Sequence, residues 1–209
     1  YHEPNCRYKQ IQMYGSRGCP RRCNFCAAAT LYYDELNWRP RNVAHVVEEI
    51  QTLHEKYPEM EGVFFDEEVH NIKKSFNISL AKAIRQAGLQ DLKYEAMCEY
   101  ASLDEEAMDE MREAGYYKIR FGIETGSDQV AEKMTLGKKH DLKKLKTMVE
   151  YGKSIGMLFY GTISIGGLGS DKDEDQKTVD LIYDLAGKGW LDEIQVSINT
   201  PQPGTDFYN

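Results

Sequence analysis

Alternating strand and helix patterns run along almost the whole chain, and this alternation is what most constrains the fold. Short apolar stretches with a period of two residues predict strands, and the segments between them show helical spacing. The first predicted strand covers Lys9–Tyr14. The other five lie in the segments GVFFDEE, LKYEAMC, YYKIRFGIETGS, MLFYGTISIGGLG and DEIQVSINT.

Helix start signals support the same reading. Asn42 is predicted to cap a helix with apolar positions at Val43, Val46, Val47, Ile50 and Leu53. Ser102 with Glu105 resembles a capping box, and Asp141 precedes another periodic segment. Further helices are predicted over about 72–87 and about 175–186.

Repeated strand–helix units imply a parallel sheet with helices packed outside. Two architectures are compatible with this pattern: a partial barrel and an open, doubly wound sheet. The polar and glycine-rich segments follow MYG, VFF, RFGI, TISI and QVSI, each at the carboxyl end of a predicted strand. A barrel gathers its active site at that end of all its strands, so we predict an α/β fold of the partial TIM-barrel type.

The length of 209 residues suits one large domain, which we predict to span residues 1–209. No apolar run approaches the roughly 18 residues needed to cross a membrane. The net charge of −8 argues against nucleic acid as a partner. The chain begins at Tyr1 and ends at Asn209 without usual terminal features, and we interpret it as a fragment of a longer protein.

Three of the five cysteines lie in one short segment, with the spacing Cys19-x3-Cys23-x2-Cys26. Clustered cysteines in an acidic chain favour a metal site in a reducing compartment, here the cytoplasm, over disulfides. A structural zinc site would need a fourth ligand, for which Cys6 and His2 are candidates. The alternative is a four-iron cluster held by three thiolates, with one iron left open to bind a ligand.

The cysteine spacing, with Phe25 before the last cysteine, resembles the signature of the radical S-adenosylmethionine (SAM) superfamily. Further segments resemble its cobalamin-associated group in the expected order. They are SRGCPRRCNFC, WRPRNVAHVVEEI, GVFFDEEVH, AGYYKIRFGIETGSDQVAEKM and TPQPGTDFY.

The resemblance implies a (β/α)6 core with parallel strands, and a [4Fe-4S] cluster held by Cys19, Cys23 and Cys26. It also implies that SAM binds the open iron and is cleaved by one electron to a 5′-deoxyadenosyl radical. An electron donor such as flavodoxin or ferredoxin would supply that electron. Cobalamin, if the full-length protein uses it, would bind a domain upstream of Tyr1.

The resemblance assigns further SAM contacts residue by residue. Asp66 and Glu67 would accept hydrogen bonds from the SAM ammonium, and Glu124 with Thr125 would contact its ribose or amino-acid part. Close backbone approach would come from Gly166 and Gly167, and an adenine contact from the segment containing Ser197. The last contact residue is Phe25.

One departure concerns the end of the third predicted strand, where relatives usually carry an arginine. Cys98 and Glu99 stand there instead. Arg120 on the next strand is a candidate replacement if its register points it inward.

The implied reactions are methyl transfer, cyclisation or rearrangement of an unidentified small molecule, and no residue is predicted to act on that substrate. A tRNA methylthiotransferase-like enzyme is a second hypothesis, which the acidic charge disfavours. A non-catalytic metal-binding module is a third, because a fold does not fix a function.

Overall fold

The computed structural model describes residues 6–33, 35–136 and 140–208. Within these ranges it contains eight strands. In chain order they are β1 (Gln10–Met13), β2 (Ser16–Arg17), β3 (Arg39–Pro40), β4 (Gly62–Phe65), β5 (Lys93–Cys98), β6 (Tyr116–Glu124), β7 (Leu158–Ile165) and β8 (Glu193–Ile198).

Six of these strands form one sheet in the order β1-β4-β5-β6-β7-β8, and every neighbouring pair is parallel. The spatial order therefore follows the chain order without reversal. A doubly wound sheet would reverse its order at a switch point, so the structure supports the predicted partial barrel and excludes the open alternative. The two short strands β2 and β3 pair antiparallel with each other.

Helices follow the strands and cover the outside of the sheet. They are α1 (Val43–Lys56), α2 (Lys74–Gln86), α3 (Glu105–Glu113), α4 (Asp128–Lys133), α5 (Leu142–Ser154) and α6 (Lys172–Gly187). A short π-helix (Ala28–Tyr32) and a 3-10 turn (Tyr100–Ser102) complete the described elements. None of the described helices is long and apolar enough to span a bilayer.

The observed caps agree with two of the three predicted helix starts. Asn42 accepts from the Ala44 N–H at 2.9 Å, and Asp141 accepts from the Lys144 N–H at 2.9 Å. The capping box at Ser102 was wrong, because Asp104 caps α3 through the Ala107 N–H. Asp caps a helix as well as Ser does, and Ser102 instead donates to Glu99.

Most of the sheet is covered, whereas Ile194, Val196 and Ile198 of β8 are exposed. Side chains such as Val63, Phe65, Ile119, Phe121 and Phe159 pack with the helices in one hydrophobic core. Because side chains alternate along a strand, the intervening residues face the barrel interior. That interior contains charged groups, with Glu95, Lys118 and Arg120 all buried.

Candidate functional site

The cysteines lie on a loop that the β2–β3 pair closes at its base. Ser16 pairs with Pro40 and Arg17 with Arg39, so the chain leaves and re-enters the fold at one place. Gly18 starts the loop with a φ of 88°, and a Cβ there would lie 2.4 Å from the Asn37 carbonyl oxygen. Only glycine fits this left-handed, close-packed position.

A cavity of about 230 Å³ brings the loop and the strand ends together. The loop contributes all three clustered cysteines, which are Cys19, Cys23 and Cys26. The polar or small residues from the carboxyl ends of β4 to β7 are Glu68, Glu99, Gly122, Glu124 and Thr162. Side chains from four strand ends therefore converge on the cysteine loop, as expected for a barrel active site.

The thiols are half-buried and free of disulfides. The pKa of Cys19 is raised to about 11, mainly by burial and to a smaller extent by the nearby Cys23, Cys26 and Glu99. The Arg21 N–H, which donates to Cys19 Sγ at 3.4 Å, acts in the opposite direction. Since metals bind the thiolate form, a metal at this site would have to displace the Cys19 proton.

The donor set fits a cluster better than a single zinc ion. In the described ranges, no three side chains from His, Cys, Asp or Glu are arranged to hold one metal ion. A four-iron cluster attaches each thiolate to a different iron, so its ligands need not converge on one point. For the fourth zinc ligand, His2 lies outside the described residues, and Cys6 is not among the residues that line the cavity.

Glu99 and Arg21 connect the strand end to the cysteine loop. Arg21 Nη2 donates to Glu99 Oε2 at 2.7 Å, and the Ser102 hydroxyl donates to the same oxygen at 2.7 Å. The Glu99 side chain is only 2 % exposed. Both residues line the cavity, so the departure from the expected arginine places a buried carboxylate beside the cysteines.

The two acids predicted to receive SAM, Asp66 and Glu67, do not line the cavity. Glu67 is turned inward, where it accepts from the N–H groups of Gly15 and Ser16 and bonds His70 Nδ1 at 2.6 Å. These partners use its acceptor capacity to fix the chain just before the cysteine loop. Asp66 is half-buried beyond the end of β4, and its N–H donates to the Met13 carbonyl.

The third acid of the DEE run, Glu68, faces the cavity instead. Glu68 accepts from the Gly18 N–H at 3.1 Å and from the Tyr33 hydroxyl. Glu68 was not among the predicted contact residues. The acidic run itself was the signal, but only the backbone path after Phe65 decides which of its three carboxylates faces the site.

Glu124 ends β6 and lines the cavity, and its predicted SAM contact stays a prediction. Its φ is 67°, which is uncommon for a residue other than glycine. The pairing of β6 with β7 also shifts register between Gly122 and Glu124. Bulges of this kind often redirect a side chain beside an active site.

Of the remaining predicted contacts, only Phe25 lines the cavity. Thr125 is buried against Thr178, with hydroxyl oxygens 3.2 Å apart. Gly167 allows close packing, because a Cβ there would lie 2.6 Å from Met134 Sδ, and Gly166 takes a φ of 73°. Ser197 is half-buried on β8. Their predicted SAM contacts stay predictions.

Arg120 points inward, as its candidate role required, but lies below the cysteine cavity. Its guanidinium bonds Glu95 Oε2 at 2.7 Å and stacks between Phe64 and Tyr160, with centroid distances of 4.3 and 4.9 Å. Lys118 Nζ lies 3.3 Å from the same Glu95 oxygen. Arg120 is thus part of a buried charge network and does not line the cavity.

Comparison with known proteins agrees with this architecture. The sequence model of the Radical SAM superfamily matches residues 13–182. An uncharacterized methyltransferase of Pyrococcus horikoshii, PH0819, is 32% identical over 194 residues, which cover 92% of this chain and 40% of the relative. A cytidylyl-2-hydroxyethylphosphonate methyltransferase of Streptomyces wedmorensis is 27% identical over 198 residues, which cover 94% and 36%.

A solved structure gives the same fold. The radical SAM methyltransferase TsrM from Kitasatospora setae, with cobalamin and a [4Fe-4S] cluster bound, superposes with a TM-score of 0.81 and 18% identity. The match covers 90% of this chain and 34% of that one. This chain therefore spans less than half the length of these relatives. The family match over most of its length shows that the chain belongs to the radical SAM superfamily.

Proposed function

We propose that this chain is the core of a radical SAM enzyme that holds a [4Fe-4S] cluster through Cys19, Cys23 and Cys26. The observation that carries the proposal is the shared cavity of these three thiols and the strand ends. With three thiolates, one iron keeps an open position for SAM, which is the family's cosubstrate. When bound, the reduced cluster supplies one electron to the SAM sulfonium, which then divides into methionine and a 5′-deoxyadenosyl radical.

The charge of the cavity supports a cationic ligand. Glu68, Glu99 and Glu124 line it together with the three cysteines, and Arg21 is the basic residue on its wall. SAM carries a sulfonium and an amino group, and carboxylates are strong partners for such groups. The carboxylates and Arg21 on the cavity wall thus bind and orient the ligand beside the cysteines.

Among the reactions implied by the family, methyl transfer is the one we propose. Three curated relatives carry methyltransferase or methylase names. Cobalamin use by the full-length protein, an unidentified small-molecule substrate and a flavodoxin or ferredoxin as electron donor belong to the same proposal. A reducing compartment such as the cytoplasm suits five cysteines of which none forms a disulfide.

The first test is anaerobic reconstitution with iron and sulfide. We expect about four irons per chain and a broad absorbance at about 400 nm. With dithionite and SAM, the wild type should release 5′-deoxyadenosine, and Cys23→Ala should release none because it lacks a cluster ligand. Stoichiometric zinc without iron, or wild-type product from Cys23→Ala, would contradict the proposal.

Cys98→Ala is the matched control. Cys98 lines the same cavity, and burial raises the pKa of its thiol well above the ordinary value. A thiol buried in the core is expected to serve packing, so this variant should keep its iron and its SAM cleavage. Loss of the cluster in Cys98→Ala would instead indicate a fourth thiolate ligand and a closed cluster.

A further inference from the structure

Two polar atoms beside the cysteines are buried without a hydrogen-bond partner in the described part of the chain. One is Glu99 Oε1, an acceptor, and the other is Arg21 Nε, a donor. Both residues line the cavity, and they are joined to each other through Glu99 Oε2 and Arg21 Nη2 at 2.7 Å. A buried polar atom without a hydrogen-bond partner is unfavourable, so these two atoms call for a bound partner.

The position of Glu99 is fixed by its neighbours. The Asn71 side chain accepts from the Glu99 N–H at 2.7 Å and donates to the Glu99 carbonyl at 2.9 Å. Ser102 holds the Oε2 atom together with Arg21. Because the backbone and one carboxylate oxygen are both held, the position of Oε1 on this cavity-lining residue is fixed. A preorganised acceptor of this kind binds a donor at low entropic cost.

We propose that Glu99 and Arg21 form a recognition pair for an α-amino carboxylate, namely the amino-acid end of SAM. Glu99 Oε1 accepts from the amino group, and Arg21 Nε donates to the carboxylate. This inference rests on the proposed function, since SAM is the ligand expected at the open iron. It adds two contact residues that none of the predicted contacts included.

The pair also accounts for the departure noted in the sequence. The family resemblance led us to expect an arginine near the position of Glu99, where this chain has none. Arg21 of the cysteine loop reaches the same strand end and supplies the guanidinium there. The basic group comes from a different element, and Glu99 both anchors it and offers the complementary acceptor.

The test measures ligand binding to the cluster-loaded, oxidised protein, in which SAM is not consumed. Equilibrium dialysis compares SAM with methylthioadenosine, which keeps the adenosine and sulfur but lacks the amino-acid end. We expect Glu99→Gln and Arg21→Met each to weaken SAM binding by about tenfold or more. Methylthioadenosine binding should stay within about twofold of the wild type.

Arg22→Met is the matched control, because Arg22 lies on the same loop but is exposed; it should bind SAM as the wild type does. Unchanged SAM affinity in Glu99→Gln and Arg21→Met, or equal loss of both ligands, would overturn the inference. Loss of the cluster in both variants would also overturn it, by assigning the pair to loop folding. A wild type that holds its cluster but binds no SAM would instead refute the proposed function.

Discussion

At the scale of single residues, Glu124 combines an unfavourable backbone with a place on the cavity wall. Its φ of 67° lies in the left-handed region, where a residue with a Cβ loses about 1–2 kcal/mol. Strain of this kind persists where the surrounding structure imposes it, and it clusters at functional sites. The sequence placed Glu124 at the site, but the strain is visible only in the folded chain.

Glu124→Asn separates binding from stability. Asn tolerates the left-handed region, so we expect the free energy of unfolding to stay the same or to rise by up to about 1 kcal/mol. The affinity for SAM should fall, since a shorter, uncharged amide replaces the carboxylate. Urea unfolding and equilibrium dialysis measure the two quantities.

The control is Glu132→Asn, the same change on the exposed side of α4. There, the lower helix propensity of Asn should reduce the free energy of unfolding by about 0.5 kcal/mol or less. SAM binding should not change. If Glu124→Asn destabilised the protein by much more than its control, the carboxylate would be structural.

At the scale of elements, glycines decide how closely helices approach the sheet. Gly152 lies in α5, and a Cβ there would be 2.3 Å from Phe159 Cζ and 2.5 Å from Met108 Cε. Glycine normally weakens a helix interior by about 1 kcal/mol relative to alanine. This glycine is therefore retained for packing against β7 and α3.

Gly152→Ala should lower the free energy of unfolding by about 1–3 kcal/mol, because overpacking of the core outweighs the better helix propensity. Gly187→Ala is the paired comparison at the end of α6, where a Cβ would meet nothing within 4 Å. That variant should be neutral or stabilising by about 0.4–1 kcal/mol. Thermal and urea denaturation of both variants would test the contrast, and a stabilising Gly152→Ala would contradict it.

At the scale of the whole molecule, the barrel interior is closed below the site by paired charges. Glu95 and Lys118 are fully buried, and Arg120 stacks between two aromatic rings above the same carboxylate. Lys118 also reaches Glu193 on β8 at 3.3 Å. These ion pairs join β5, β6 and β8 across the interior and hold the three strands in one arrangement.

Glu95→Met should be strongly destabilising, because it leaves Lys118 and Arg120 without their shared carboxylate. Breaking a buried pair from one side costs about 3–5 kcal/mol, which urea unfolding would measure. Glu48→Met on the exposed face of α1 is the control and should change stability by less than about 0.5 kcal/mol. If Glu95→Met changed the free energy of unfolding as little as Glu48→Met, the shared carboxylate would not be needed to stabilise Lys118 and Arg120 in the interior.

The sequence alone determined the βα alternation, the partial barrel and the cysteine loop, because these depend on local periodicity and on close spacing. Caps such as Asn42 and Asp141 follow from the same local chemistry. The tertiary structure decided which carboxylates face the cavity, turning Glu67 inward and Glu68 toward the cysteines. It also brought Arg21 to Glu99 across 78 positions of sequence. Such choices depend on backbone direction after a strand and on contacts distant in the chain, which no local pattern encodes.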